Sequence, residues 1–263
     1  MSATLIATLA GLGATGGFFA GLLGFGGGVV MFPLLYYVPP LFGLARLEAQ
    51  TVAAIVISQV FFSALIGGFA HLRSGRVQGR IALIAGSASS VGSFAGGVAS
   101  RWTSEQFLLL LFGIVTLLVG LIMFLPAPRQ QQEDEPIESV SVPTIPLASY
   151  SLATGIVVGF LGAGNFAFVP LLIFVLRVPT RIAIGSSLFI ALMNSAAGFI
   201  GKLVIGQIPL IVSSVVVGGA AVGALVGEQA HRRLSTKMLR CIYAVVVALI
   251  ALRVWITIWS YYI

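Results

Sequence analysis

Eight apolar stretches, most of them close to the length of a membrane-crossing helix, leave this chain little choice but to fold inside a bilayer. They run roughly over residues 3–23, 52–70, 81–99, 106–125, 147–161, 183–201, 208–230 and 238–259. About 20 apolar residues are needed to span the hydrocarbon core as a helix. Only 8% of the residues are charged and 59% are hydrophobic, whereas a soluble domain is about 25% charged. Two shorter apolar pieces, about 29–42 and 166–176, each follow a glycine-rich break. The expected fold class is therefore all-α integral membrane, with about eight long helices and two short helices after the breaks. Residue 3 onward is read as the first structural helix and not as a signal peptide, because no basic region precedes it.

The net charge of +7 would suggest nucleic acid in a soluble protein. Here the basic residues sit in the joints between apolar runs, which the positive-inside rule explains. No nucleic-acid partner is expected; the lipid bilayer is the partner the composition demands. The single cysteine, Cys241, lies in the last apolar run. It allows no disulfide within the chain and is expected to be a small buried apolar residue.

Residues 126–146 form the one real linker. Pro126, Pro128, Pro136, Pro143 and Pro146 fall in it, with Glu133, Asp134, Glu135 and Glu138. It separates an N-terminal membrane repeat, 1–125, from a C-terminal one, 147–263. Gly17-x-x-x-Gly21 matches Gly155-x-x-x-Gly159, and Pro33-Leu34-Leu35 matches Pro170-Leu171-Leu172. Gly92-x-x-x-Gly96 matches Gly223-x-x-x-Gly227, Arg101 matches Arg232, and Ser104 matches Ser235. The offset falls from 138 to 131 along the chain, and Gln59 matches Asn194 at 135 on the way. An ordered series of this kind points to internal duplication.

Charge decides how the copies are oriented. Eight simple crossings divide the 14 Lys and Arg residues 8 to 6 between the two faces. If 3–42 and 147–176 each return to the face they started from, as a re-entrant hairpin or as two crossings, the split becomes 10 to 4. The inner set is Arg73, Arg76, Arg80, Arg129, Arg177, Arg181, Arg232, Arg233, Lys237 and Arg240. The outer set is Arg46, Arg101, Lys202 and Arg253. The larger bias is the expected one. It makes the two repeats inverted in topology, with the acidic linker cytoplasmic.

The breaks carry the candidate chemistry. The first reads Gly24-Phe25-Gly26-Gly27-Gly28 and the second Gly162-Ala163-Gly164-Asn165, followed by Pro33 and Pro170. Non-helical backbone at membrane depth survives where it is buried in protein or lines a cavity. The first turn of a helix that follows such a break offers N–H groups and a positive dipole end to an anion. Gly26, Gly27, Gly28, Gly164 and Asn165 are the expected backbone contacts. Gln59 and Asn194 are the expected midplane donors, with Ser186 and Ser187 nearby. Gly24, Pro33, Gly162 and Pro170 shape the breaks. Packing and interhelical hydrogen bonding are the competing roles of these residues.

No cofactor and no metal are expected. His71 and His231 lie at helix ends beside arginines, and Glu228 lies close to Arg232, where an ion pair accounts for it. Without intramembrane carboxylate clusters, a proton relay or cation pump is disfavoured. A membrane-embedded enzyme or assembly factor would need a nucleophile–base pair or metal ligands, and the runs contain neither.

The glycine-rich break before Pro33-Leu34-Leu35, its echo at Pro170-Leu171-Leu172 and the stretch Ile184-Gly185-Ser186-Ser187-Leu188 together resemble the sulfite exporter TauE/SafE family over nearly the whole chain. Asn165-Phe166 departs from the fuller glycine cluster of that family. The resemblance implies a bacterial inner-membrane, multi-pass transporter of small sulfur-containing anions. Export of sulfite or an organosulfonate such as sulfoacetate comes first, with thiosulfate or other anion uptake as the alternative. A homodimer is compatible with it. The cysteine chemistry of a related thiosulfate-transporting branch does not carry over, because Cys241 lies outside both breaks.

Overall fold

A computed structural model describes residues 3–23, 27–72, 78–124, 142–176, 178, 180–231, 233–234 and 236–262. Among these the chain is helical and contains no strand. The long helices are α1 (Ala3–Leu23), α3 (Ala49–Leu72), α4 (Gly79–Ala99), α5 (Glu105–Phe124), α6 (Thr144–Leu161), α8 (Thr180–Val204), α9 (Leu210–His231) and α10 (Thr236–Tyr262). Each coincides with one of the apolar runs. Six helical segments of the described residues are long and apolar enough to cross a membrane, in α1, α4, α5, α6, α8 and α9. Their outward faces carry Leu83, Val91, Leu117, Leu121, Val222 and Leu225, all exposed. A surface so apolar is stable only against lipid. The protein is a multi-pass membrane protein.

The ends of the helices follow local rules. Gln78 precedes α4 and its Oε1 accepts from the Ile81 N–H at 2.6 Å, satisfying one donor of the first turn. Ser104 does the same for α5, accepting from Phe107 N at 3.2 Å. Pro143 and Pro146 stand at the start of α6, where a missing N–H costs nothing. Residues 126–141 of the linker lie outside the described residues.

The two short pieces differ from each other. After the first break, α2 (Gly28–Tyr37) is a continuous α-helix with Pro33 inside it. After the second break the chain forms a 3₁₀ turn (Asn165–Ala167), a single α turn (α7, Phe168–Pro170) and a π turn (Leu171–Val175). The expected short helix is therefore a composite there. Pro170 has no N–H to continue an α ladder, and the widened turn after it absorbs the mismatch.

Packing is crosswise between the halves. α1 lies along α9, and α6 lies along α4, while α8 sits against α4 and α3, and α10 against α5. Glycines bring these backbones together. A β-carbon at Gly17 would strike the carbonyl of Ala220, and one at Gly21 that of Ala224. A β-carbon at Gly223 would strike the carbonyl of Ala14, and one at Gly227 that of Phe18. In the other pair, Gly155 meets Ser89, Gly159 meets Ser93, Gly92 meets Leu152 and Gly96 meets Ile156 in the same way. Adding 138 to the α1 numbers and subtracting 131 from the α9 numbers converts the first set of contacts into the second. Residue numbers rise together within each pair, so α1 runs parallel to α9 and α6 parallel to α4. Small-xxx-small seams of this kind let helices pack closely where lipid supplies no hydrophobic drive.

Candidate functional site

Both breaks are made by backbone that only glycine adopts easily. Gly27 has φ 65° immediately before α2 and Gly162 has φ 68° immediately after α6, in the left-handed region that a β-carbon disfavours. Gly24 and Gly26 lie outside the described residues. From Gly27 the chain enters α2 at once, with Val30 N and Met31 N donating to the Gly27 carbonyl at 3.1 and 3.0 Å.

The two breaks meet in the interior. A β-carbon at Gly28 would lie 3.0 Å from Cα of Ala163 and 3.3 Å from Cγ2 of Val60. One at Gly162 would strike the Ala53 carbonyl and lie 2.7 Å from the Ile57 N. Helix α3 therefore touches both breaks, with Ala53 and Ile57 at the second and Val60 at the first. Gln59, beside Val60, is fully buried.

Asn165 and Asn194 are brought together. Asn194 Nδ2 donates to Asn165 Oδ1 at 2.8 Å. That single bond leaves Asn165 Nδ2 and Asn194 Oδ1 buried without a partner among the described residues. The free donor thus belongs to Asn165, while the expected donor Asn194 spends its amide group on the break. Gln59 Nε2 donates to Ser63 Oγ at 3.0 Å, and its Oε1 has no partner among the described residues. A half-turn of the Gln59 amide exchanges the two atoms: the Ser63 hydroxyl then donates to Oε1, and Nε2 becomes free for an acceptor. Buried amides left half-satisfied cost about 1–3 kcal/mol each.

The serines lie elsewhere. Ser186 Oγ accepts from the Gln78 N–H at 3.2 Å, at the start of α4. Ser186 and Ser187 stand about two helical turns before Asn194 on α8, and both are buried. Ser58 turns back onto its own helix, donating to the Ala54 carbonyl. Pro33 and Pro170 are buried within the segments that follow the breaks.

Two expectations are corrected. Cys241 is exposed on α10: on the lipid-facing side of a helix a small thiol needs no protein cover. Lys202, assigned above to an outer loop, is fully buried in the last turn of α8. Its Nζ donates to Ser100 Oγ at 2.6 Å, with the Phe160 carbonyl and Gln207 Oε1 each at 3.4 Å. The signal that could have found it is spacing: Asn194, Gly198 and Lys202 fall four apart, on one helical face. Among the described residues no three His, Cys, Asp or Glu side chains gather as metal ligands.

The family described as sulfite exporter TauE/SafE matches residues 9–254, from α1 into α10. The chain belongs to this family. A relative in Xylella fastidiosa (strain Temecula1 / ATCC 700964), named a "Probable membrane transporter protein", is 34% identical over 95% of both chains. Another, "Probable membrane transporter protein YunE" of Bacillus subtilis (strain 168), is 26% identical over 91% of this chain and 93% of its own. No solved structure matches the chain. The family match takes in both breaks, α3 and the Asn165–Asn194 pair, so the candidate site lies wholly within it.

Proposed function

We propose that this protein is a secondary transporter of small sulfur-containing anions in the bacterial inner membrane. Export of sulfite or an organosulfonate such as sulfoacetate is the leading activity. The observation that carries the reading is the meeting of two glycine breaks against α3, beside half-satisfied buried amides. The start of α2 and the Asn165 Nδ2 group offer hydrogen to an acceptor without a buried charge. A sulfonate or sulfite oxygen is such an acceptor. No catalytic role is assigned.

The two halves, 1–125 and 147–263, act in this reading as inverted repeats about the site, joined by a cytoplasmic linker. The packing register supports it. α9 is parallel to α1, and the five-residue joint (205–209) is short enough to make α9 run opposite to α8. Gly86 meets Met193 and Gly97 meets Gly198, so α4 is parallel to α8, and α6 is parallel to α4. Following these relations round, α6 runs opposite to α1. Inverted halves let one site face either side by rocking. A negative-inside potential drives an anion outward by about 2.3 kcal/mol per charge per 100 mV, so export needs no coupling ion.

The test is flux in proteoliposomes under an imposed potential, with a panel of sulfite, sulfoacetate, taurine, thiosulfate and sulfate. Saturable movement of sulfite or sulfoacetate is the expected result. A preparation that folds and moves none of the anions overturns the reading, and saturable thiosulfate flux alone changes the substrate.

A further inference from the structure

We propose that Lys202 is the counter-charge of a second anion station, which takes a small sulfur oxyanion between the Asn165–Asn194 amides and the Ser100–Gln207 end of the bundle. The inference rests on the transport reading above.

Lys202 is 0% exposed. Among the described residues its hydrogen-bond partners are all neutral: the Ser100 hydroxyl, the Phe160 carbonyl and the Gln207 side-chain oxygen. The Ser100 hydroxyl in turn donates to Gln207 Oε1 at 2.8 Å. A buried lysine is costly to charge without a counter-ion, and an apolar side chain of similar length would fill the same space without that cost. Charged residues retained at membrane depth mark ion pathways. Here the missing counter-ion has the charge of the proposed substrate.

Neighbouring groups extend this point into a path. Asn194, Gly198 and Lys202 line one face of α8. At the middle position a β-carbon on Gly198 would strike Ser93 Oγ of α4. That hydroxyl is itself fully buried and has no partner among the described residues. Asn165 Nδ2 and Asn194 Oδ1 are likewise unpartnered at the other end. Buried polar groups therefore follow one another along the seam of α4 and α8, from Asn165 Nδ2 through Ser93 to Lys202, and in this conformation the helices close on one another at Gly198. The Phe160 carbonyl ties Lys202 to the end of α6, two residues before Gly162. An anion leaving the central site would meet the Lys202 side chain once α4 and α8 part at Gly198.

A purely structural lysine would cap the last carbonyls of α6, a role that hydrogen bonding alone can fill. The experiment separates charge from hydrogen bonding. Lys202→Met, Lys202→Gln and Lys202→Arg are compared with wild type for sulfite and sulfoacetate flux in proteoliposomes and for melting temperature. Lys202→Met is expected to lose tenfold or more of the maximal flux while melting at or above the wild-type temperature. Lys202→Arg, which keeps the charge, should retain more flux than Lys202→Gln, which keeps only hydrogen bonds. Wild-type flux in Lys202→Met overturns the proposal. So does rescue by Gln over Arg, or loss of flux in all three together with a large fall in melting temperature, since either makes the lysine a cap. Wild-type protein that moves no anion defeats the transport reading instead, before the variants are compared.

Discussion

Asn194 donates its amide hydrogen to Asn165 Oδ1 over 2.8 Å, and so ties the middle of α8 to the second break. The bond fixes the Asn165 side chain with its own Nδ2 group without a partner among the described residues. If that group faces the anion, Asn165→Ala removes a hydrogen bond to a charged acceptor, about 1.5–3 kcal/mol. The expected result is a ten- to hundredfold loss of sulfite affinity by titration calorimetry. Affinity equal to wild type in a folded variant takes Asn165 out of the site.

The glycine seams make a prediction about stability alone. Gly17 and Gly223 face carbonyls of the opposite helix with no room for a β-carbon, whereas a β-carbon at Gly11 or Gly218 would meet no other group within 4 Å among the described residues. Gly223→Val should push α1 and α9 apart and cost about 1–3 kcal/mol or more. Gly11→Ala should be neutral or stabilising by up to about 1 kcal/mol, through helix propensity. Thermal unfolding in a single detergent compares them. Equal melting temperatures for the two variants would contradict the packing described.

Sidedness can be read by chemical labelling. Cysteines placed singly at exposed Arg80 and Arg233, in a Cys241→Ser background, should react from the cytoplasmic face. Cysteines at exposed Arg101 and Leu210 should react only from the opposite face. Arg80 and Arg233 labelling from different sides would break the inverted arrangement and return the chain to eight simple crossings.

The helices were legible because an apolar run of about 20 residues has one stable form in lipid. Each run corresponds to one long helix, with ends shifted by up to about three residues where caps such as Gln78 and Ser104 decide. The repeat offsets also carried information, since the Gly17–Ala220 and Gly155–Ser89 contacts are related by the same two numbers. Side-chain partnership was less legible. Nothing in the sequence says that Asn194 would spend its donor on Asn165, because that depends on where the second break ends. Lys202 was misread because linear position near a helix end looks the same for a loop lysine and a buried one. Only its neighbours, Ser100 from α4 and Phe160 from α6, separate the two. Cys241 was misread for the converse reason. In a membrane helix an apolar run has no preferred face, so burial cannot be inferred from hydropathy.

Gln59 gives the sharpest test of the central site. Gly27→Val cannot separate binding from packing, because Gly27 has φ 65° and a β-carbon there would lie 2.6 Å from Cβ of Ala20. That substitution is expected to lower stability whatever the site does. Gln59→Leu differs. It keeps the volume, removes the unpartnered Oε1 and leaves only the Ser63 hydroxyl, which can turn back onto its own helix as Ser58 does. In the absence of anion the variant should therefore melt within about 1 kcal/mol of wild type, since an orphaned acceptor is lost along with a hydrogen bond. In the presence of anion it should lack the donor that a half-turn of the amide supplies. Sulfite affinity is then expected to fall about tenfold or more, and the rise in melting temperature that saturating sulfite gives wild type should shrink in proportion. Measuring melting temperature against sulfite concentration for both proteins reads both effects at once. Superimposable curves would mean that Gln59 faces only Ser63, and the anion would have to be held by the start of α2 and Asn165 without it.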